Sequence, residues 1–220
     1  MGDRPAEAAV AATAPELDSA KRRQILDGAR RVFFERGFEA ASMDAITRAA
    51  GVSKATVYAY FPSKEDLIVA LVTIEKREQA ERFALPSDDQ RPLAEVLAEL
   101  GTRTLLAMAR PEAVQRLRLA VGVAARMPEI GRAFFEDGPQ FSTRRLGDYF
   151  ARLVAEGRLT AADPYRAARQ FLDLCLADTS RAIIFGMDPT VTAEEAAAHA
   201  RMATETFLRA YPATDPASRG

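Results

Sequence analysis

Apolar residues recur along this chain at intervals of three and four, and no convincing stretch alternates with period two. That spacing predicts an all-α fold. Ile25, Ala29, Val32 and Phe33 form the first stripe, which Gly37 closes at a C-cap. A short helix follows over 42–50, with Ser42 as N-cap and Ile46, Ala49 and Ala50 facing inward. Gly51 turns the chain. Ser53 caps a second short helix that buries Val57, meets Phe61 and ends at Pro62. Ser63-Lys64-Glu65-Asp66 has capping-box spacing and opens a helix with Leu67, Leu71 and Ile74 on its apolar face. Its polar continuation, 75–82, reads as solvated helix, and 85–91, with Pro86, as a break between regions.

The second region predicts five more helices. Leu93, Val96, Leu97, Leu100 and Met108 mark the first, and Pro111 opens the second, which carries Val114, Leu117, Val121 and Ala124 and stops at Pro128. A third spans 129–156 with a kink at Gly138-Pro139. Asp163 followed by Pro164 starts a fourth, which ends at Gly186. Thr192 to Glu195 is another capping box, and the helix it opens presents Ala196, Ala200, Ala203, Phe207 and Tyr211.

Composition sharpens this picture at a few points. The chain has 220 residues, 48% of them hydrophobic, enough for a buried core. Net charge is only −1, yet residues 20–70 carry nine Lys or Arg against six Asp or Glu, so the positive balance sits over the short helices. Cys175 is the sole cysteine, which excludes an intrachain disulfide and fits a reducing cytoplasm. No apolar run approaches the ~20 residues a membrane span needs. The expected organisation is a disordered tail over 1–19, a three-helix domain over 20–66, a larger helical domain over 67–212 and a disordered tail over 213–220.

The stretch from Ser42 to Lys64 carries the chemistry. Two short helices joined through a Gly-centred turn pack at a steep angle, with small Ala49 and Ala50 permitting close approach. Lys54, Thr56, Tyr58 and Tyr60 remain on the outer face of the second helix, whose N-terminus suits phosphate. That is the composition expected of a recognition helix lying in the major groove. An ordinary helical hairpin with a solvated face is the bland alternative. Val57 and Phe61 already occupy the buried side, which leaves Tyr58 outside.

In detail the chain resembles the TetR family of bacterial transcriptional regulators. The resemblance runs from Lys21 through Ile25, Ala29, Phe33 and Gly37-Phe38, then Ser42-Met43, Ala49-Ala50-Gly51-Val52-Ser53-Lys54 and Thr56-Val57-Tyr58. It closes on Tyr60-Phe61-Pro62-Ser63-Lys64-Glu65-Asp66-Leu67, the most specific part. Arg-Met-Pro-Glu and Phe-Phe-Glu-x-Gly-Pro further on resemble one common C-terminal class. The resemblance implies an N-terminal helix-turn-helix domain joined to a larger helical domain for ligand binding and dimerisation. It implies phosphate contacts from Ser42, Met43, Tyr60 and Lys64, with Ser53, Lys54, Ala55, Thr56 and Tyr58 at the groove. Lys54 and Thr56 are the candidates for base contact. Ala59 departs from the pattern, since many relatives have a larger residue there.

The resemblance also implies a homodimer through the last two helices, with Ala196, Ala200, Ala203 and Phe207 at the interface, and a near-palindromic operator in double-stranded DNA. It implies a small-molecule effector whose binding favours a spacing of the reading heads that no longer fits DNA. Candidate pocket residues are Met108, Leu117, Val121, Phe134, Phe135, Phe141, Tyr149, Phe171 and Cys175, with Arg118 and Asp173 as polar groups. A homodimeric repressor released by its effector is therefore expected, with a constitutive DNA binder or an all-α protein-interaction module as the alternatives. No cofactor, metal or catalytic residue is expected. One His and one Cys leave little scope for a nucleophilic triad, no P-loop, GxGxxG or CxxC is present, and Glu194 and Glu195 suit a helix start. His199 reads as a surface or interface residue.

Overall fold

The computed structural model describes residues 14–72, 91–187 and 190–213, with side chains from residue 20 onward. The expected tail over 1–13, the polar stretch 75–82, the break at 85–90 and the last residues, 214–220, lie outside the described residues. Two compact units emerge, Met1–Leu71 and Val72–Gly220.

The first unit contains α1 (Ala14–Ala40), α2 (Met43–Ala50), α3 (Lys54–Tyr60) and most of α4 (Lys64–Val72). Residues 14–19, expected within a tail, are the first turns of α1. Gly37 breaks the helical backbone near its end, at φ 73° and ψ 166°. Ser42 caps α2 by accepting from the Ala45 N–H at 3.2 Å, and Ser53 caps α3 by accepting from the Thr56 N–H at 3.1 Å. Between them Gly51 adopts φ 65°, a left-handed conformation that a residue with a Cβ rarely takes, and its N–H bonds back to Thr47 and Arg48. At Ser63 the hydroxyl accepts from the Asp66 N–H while Asp66 accepts from the Ser63 N–H, so the predicted box forms with Asp in the place of Glu. Ile25, Ala29, Phe33, Ile46, Val57, Phe61, Leu67 and Ile68 make the core. Gly28 lets α1 lie almost against α2, since a Cβ there would stand 2.6 Å from the Ala50 nitrogen.

The second unit contains α5 (Leu93–Met108), α6 (Pro111–Ala124), α7 (Pro128–Phe135), a π-helical turn over Glu136–Gln140, α8 (Phe141–Ala155), α9 (Pro164–Ile184) and α10 (Ala193–Ala210). The kink expected at Gly138-Pro139 is that π turn. Proline gives no N–H to the preceding turn, and the widened ladder absorbs the loss. Asp163 caps α9 ahead of Pro164, and Thr192 and Glu195 form the capping box of α10. An isolated antiparallel bridge joins Leu159 to Ala213.

The core of this unit is aromatic. Phe207 stacks on Phe150 with ring centres 5.3 Å apart and on Tyr211 at 4.9 Å, and meets Phe171 edge-on at 5.3 Å. Tyr149, Phe171 and Cys175 belong to the same buried cluster. Burial pushes the Cys175 thiol up to about 12, which keeps it protonated and inert.

Candidate functional site

The large apolar side chains Ile46 and Val57 of the two motif helices turn inward, and what is left outside is polar, aromatic or small. On α3, Val57 is fully buried, whereas Ser53, Lys54, Ala55, Tyr58 and Ala59 are exposed and Thr56 and Tyr60 are half-buried. Tyr58 therefore stands outside, as its spacing from Val57 and Phe61 requires. Ser42 is exposed and Met43 half-buried at the start of α2. The Thr56 hydroxyl lies 2.7 Å from that of Ser53, so one cap orients both groups at the start of α3.

Lys54 is less free than its exposure suggests. Its Nζ lies 2.8 Å from Asp44 Oδ1 on α2 and 5.8 Å from the centre of the Tyr58 ring. The hydrogen bond and charge of Lys54 hold the Asp44 carboxyl below its ordinary range, and Asp44 in turn raises the Lys54 ammonium. Asp44 thus fixes where the Lys54 charge points, a role that sequence reasoning missed. An acidic residue in the first turn of α2 reads as dipole compensation alone.

Lys64 is placed differently from the simple phosphate contact expected of it. Its ammonium donates to the carbonyl oxygens of Phe38 at 3.1 Å and Glu39 at 3.4 Å, and sits 4.5 Å from the Phe38 ring centre. It clasps the end of α1, just before the Ser42 cap. Two further clasps were not foreseen. Gln24 donates to the Ala50 carbonyl at 2.8 Å, and Arg31 donates to that of Ala49. Both satisfy carbonyls at the C-terminal end of α2, where positive groups are favoured. Gln24 and Arg31 are seven residues apart, hence on one face of α1, and that polar pair was the available signal.

In the second unit, a cavity of about 330 Å³ opens among α5, α6, the α7–α8 segment and α9. Four of the nine predicted pocket residues line it: Met108, Leu117, Phe134 and Phe135. The other five do not. Val121 is exposed, Phe141 is half-buried outside the lining, and Tyr149, Phe171 and Cys175 are consumed by the core. Asp173 does reach the wall, together with Arg169. Arg118 instead donates to the carbonyls of Ile183 and Met187, closing the end of α9. Sequence reasoning also missed Leu172, Leu176 and Ile184, which share a face of α9 with Asp173.

The residues expected at a dimer interface need correction. Ala196, Ala200, Ala203 and Phe207 are all buried within the chain. Bare Gly101 on α5 is what α10 packs against, and a Cβ there would stand 3.0 Å from both Ala200 Cβ and Cys175 Sγ. Small residues on α10 permit close packing, and the partner here is the chain's own helix. The open face of α9 and α10 carries a groove of about 460 Å³ lined by Leu174, Ala177, Thr206, Ala210 and Tyr211, with an edge of Phe207 among them. His199 lies half-buried, its ring nitrogen 3.1 Å from the Leu174 carbonyl. Among the described residues no helix is long and apolar enough to cross a membrane.

With this geometry in place, known proteins offer comparison. Residues 25–71 match the family model described as bacterial regulatory proteins, tetR family. Residues 95–213, over half of the chain, match the AefR-like transcriptional repressor C-terminal domain. A curated relative, the HTH-type transcriptional repressor Rv1474c of Mycobacterium tuberculosis, is 28% identical over 174 residues, covering 78% of this chain and 86% of that protein. Among solved structures, the flavonoid-responsive regulator FrrA is 35% identical with a TM-score of 0.69, covering 88% of this chain and 97% of its own. A TetR-family transcriptional regulator from Mesorhizobium loti is 28% identical with a TM-score of 0.76, at the same two coverages.

Proposed function

The chain belongs to the TetR family of bacterial regulatory proteins, and on that premise we propose that it is a homodimeric repressor that binds a near-palindromic operator and leaves it when an effector fills the cavity of its helical unit. The observation that carries the DNA-binding half is the open face of α3. Lys54, Thr56 and Tyr58 stand outside while Val57 is wholly inside, so the groups able to meet base edges are presented and held by caps and an ion pair. Ser42, Met43, Ser53, Ala55 and Tyr60 flank them along the phosphate path, and Lys64 holds the frame beneath.

A relative named as a repressor, and a C-terminal model described as that of a repressor, support negative control. A relative named as flavonoid-responsive supports an effector, and an aromatic one. The apolar lining of the cavity agrees with that, and its volume falls at the lower end of the range usual for small-molecule sites. The second copy is assigned to the open groove between α9 and α10, where Leu174 is exposed. Two recognition helices about 34–36 Å apart then enter successive major grooves on one side of the duplex.

Selection of bound sequences from a random duplex library tests this reading. A palindrome with half-sites about one helical turn apart, bound by two chains, is the expected product. Failure of a folded protein to enrich any sequence, with or without a compound panel, contradicts it.

A further inference from the structure

The cavity wall carries a polarity that specifies more about its occupant than size does. Its inner surface is apolar, with Met108, Leu117, Phe134, Leu172 and Leu176 around it. Four hydroxyls interrupt that surface, and three of them are engaged by their own helix. The Thr104 hydroxyl, buried on α5, lies 2.7 Å from the Leu100 carbonyl. That of Ser142 lies 2.9 Å from the Gly138 carbonyl, and that of Thr143 lies 3.0 Å from the Pro139 carbonyl.

A carbonyl oxygen only accepts, so in all three bonds the hydroxyl hydrogen is the one given away. What Thr104, Ser142 and Thr143 retain is lone pairs. The inner wall therefore presents acceptors, and a bound molecule satisfies them only by donating. Ser180 is the one lining hydroxyl free to turn either way. Arg169 and Asp173, exposed and one helical turn apart, bring opposite charges and no net field to select an ion. Phe134 and Phe135 favour a flat ring against their faces and edges, and Met108 offers a sulfur that suits the same partner.

We propose that the effector is an uncharged aromatic compound that carries hydroxyl groups and is recognised by donating their hydrogens to Thr104, Ser142 and Thr143. This rests on the reading of the cavity as the effector site and adds the sense of its hydrogen bonds. Ether, ester or ketone oxygens on the same rings bring acceptors to acceptors. They leave the remaining lone pairs of the wall hydroxyls without a donor, which sets them apart from a phenol of the same bulk.

Four biphenyls of nearly one shape separate the possibilities: the 4,4′-diol, its dimethyl ether, the 4,4′-dicarboxylate and biphenyl itself. Binding to the full chain is read by thermal shift and by release of operator DNA. The diol is expected to bind about tenfold or more tighter than the ether. Thr104→Val, equal in shape, should erase much of that advantage, bringing the affinities of diol and ether together. Ser142→Ala, on a different helix, provides the same comparison should the buried substitution disturb α5. Equal binding of diol and ether overturns the proposal, as does a preference for the dicarboxylate. Biphenyl distinguishes the two levels of failure. If it binds and the hydroxyls add nothing, the cavity reading stands and the polarity falls; if none of the four binds, both fall.

Discussion

In the first unit each short helix buries one side and keeps the other for work, while in the second the long helices are buried so widely that function is left to a gap between them. α3 is only seven residues long, and Val57 is its one fully buried residue. The remaining side chains are thereby exposed in a fixed order, and caps, clasps and the Asp44–Lys54 pair set their directions. In the second unit Phe150, Phe171 and Phe207 fill the centre, and the cavity lies to one side where the π turn widens the α7–α8 segment. A DNA-reading face is made of what protrudes, and a ligand site of what fails to meet. The first kind of site is written residue by residue, the second only in the packing of several helices.

Substitutions that separate the two units test that contrast. Phe207→Ala should have the largest effect, destabilising the second unit by about 3–5 kcal/mol, because it opens a hole at the centre of the aromatic cluster. Amide exchange should rise over 93–213 and stay unchanged over 20–71. A protomer of unaltered stability whose dimer dissociates would return Phe207 to the interface.

Gly28→Ala should do the converse. The added Cβ meets backbone atoms of Ala50, which cannot swing aside. A loss of about 3 kcal/mol confined to the first unit is expected, with operator binding failing while ligand-induced stabilisation of the second unit survives. Retention of both would contradict the close packing of α1 on α2.

Lys64→Met keeps the apolar stem and removes the charge from a half-exposed clasp. It should cost about 1 kcal/mol in the first unit and weaken operator binding without changing its salt dependence. A slope lower by about one would instead put the Lys64 ammonium on a phosphate.

Asp44→Asn is the mildest. Release of Lys54 from its ion pair should make binding to random duplex tighter and its salt slope steeper by about one, at the expense of selectivity. An unchanged slope would mean that Asp44 does not restrain Lys54.

The same contrast explains what was legible from the chain alone. Helix starts at Ser42, Ser53, Asp163 and Thr192 were readable because a cap needs one residue type at one place. The outward position of Tyr58 followed from Val57 and Phe61 four apart. The cavity was only half readable, since periodicity marks Phe134 and Phe171 alike as apolar but does not say which of them faces a gap. The small-residue face of α10 signalled close packing correctly, yet whether its partner is Gly101 or another chain is decided by α5, a hundred residues away. Clasps such as Gln24 and Lys64 join residues twenty-six apart, beyond the reach of any local pattern.

The most direct test of the α3 face compares the wild-type chain with Thr56→Ala on a panel of operators altered one base pair at a time. If Thr56 reads a base, discrimination should fall by about 1–3 kcal/mol at one position in each half-site and persist elsewhere. A uniform loss at every position would make Thr56 a backbone contact and would contradict base reading through this part of α3.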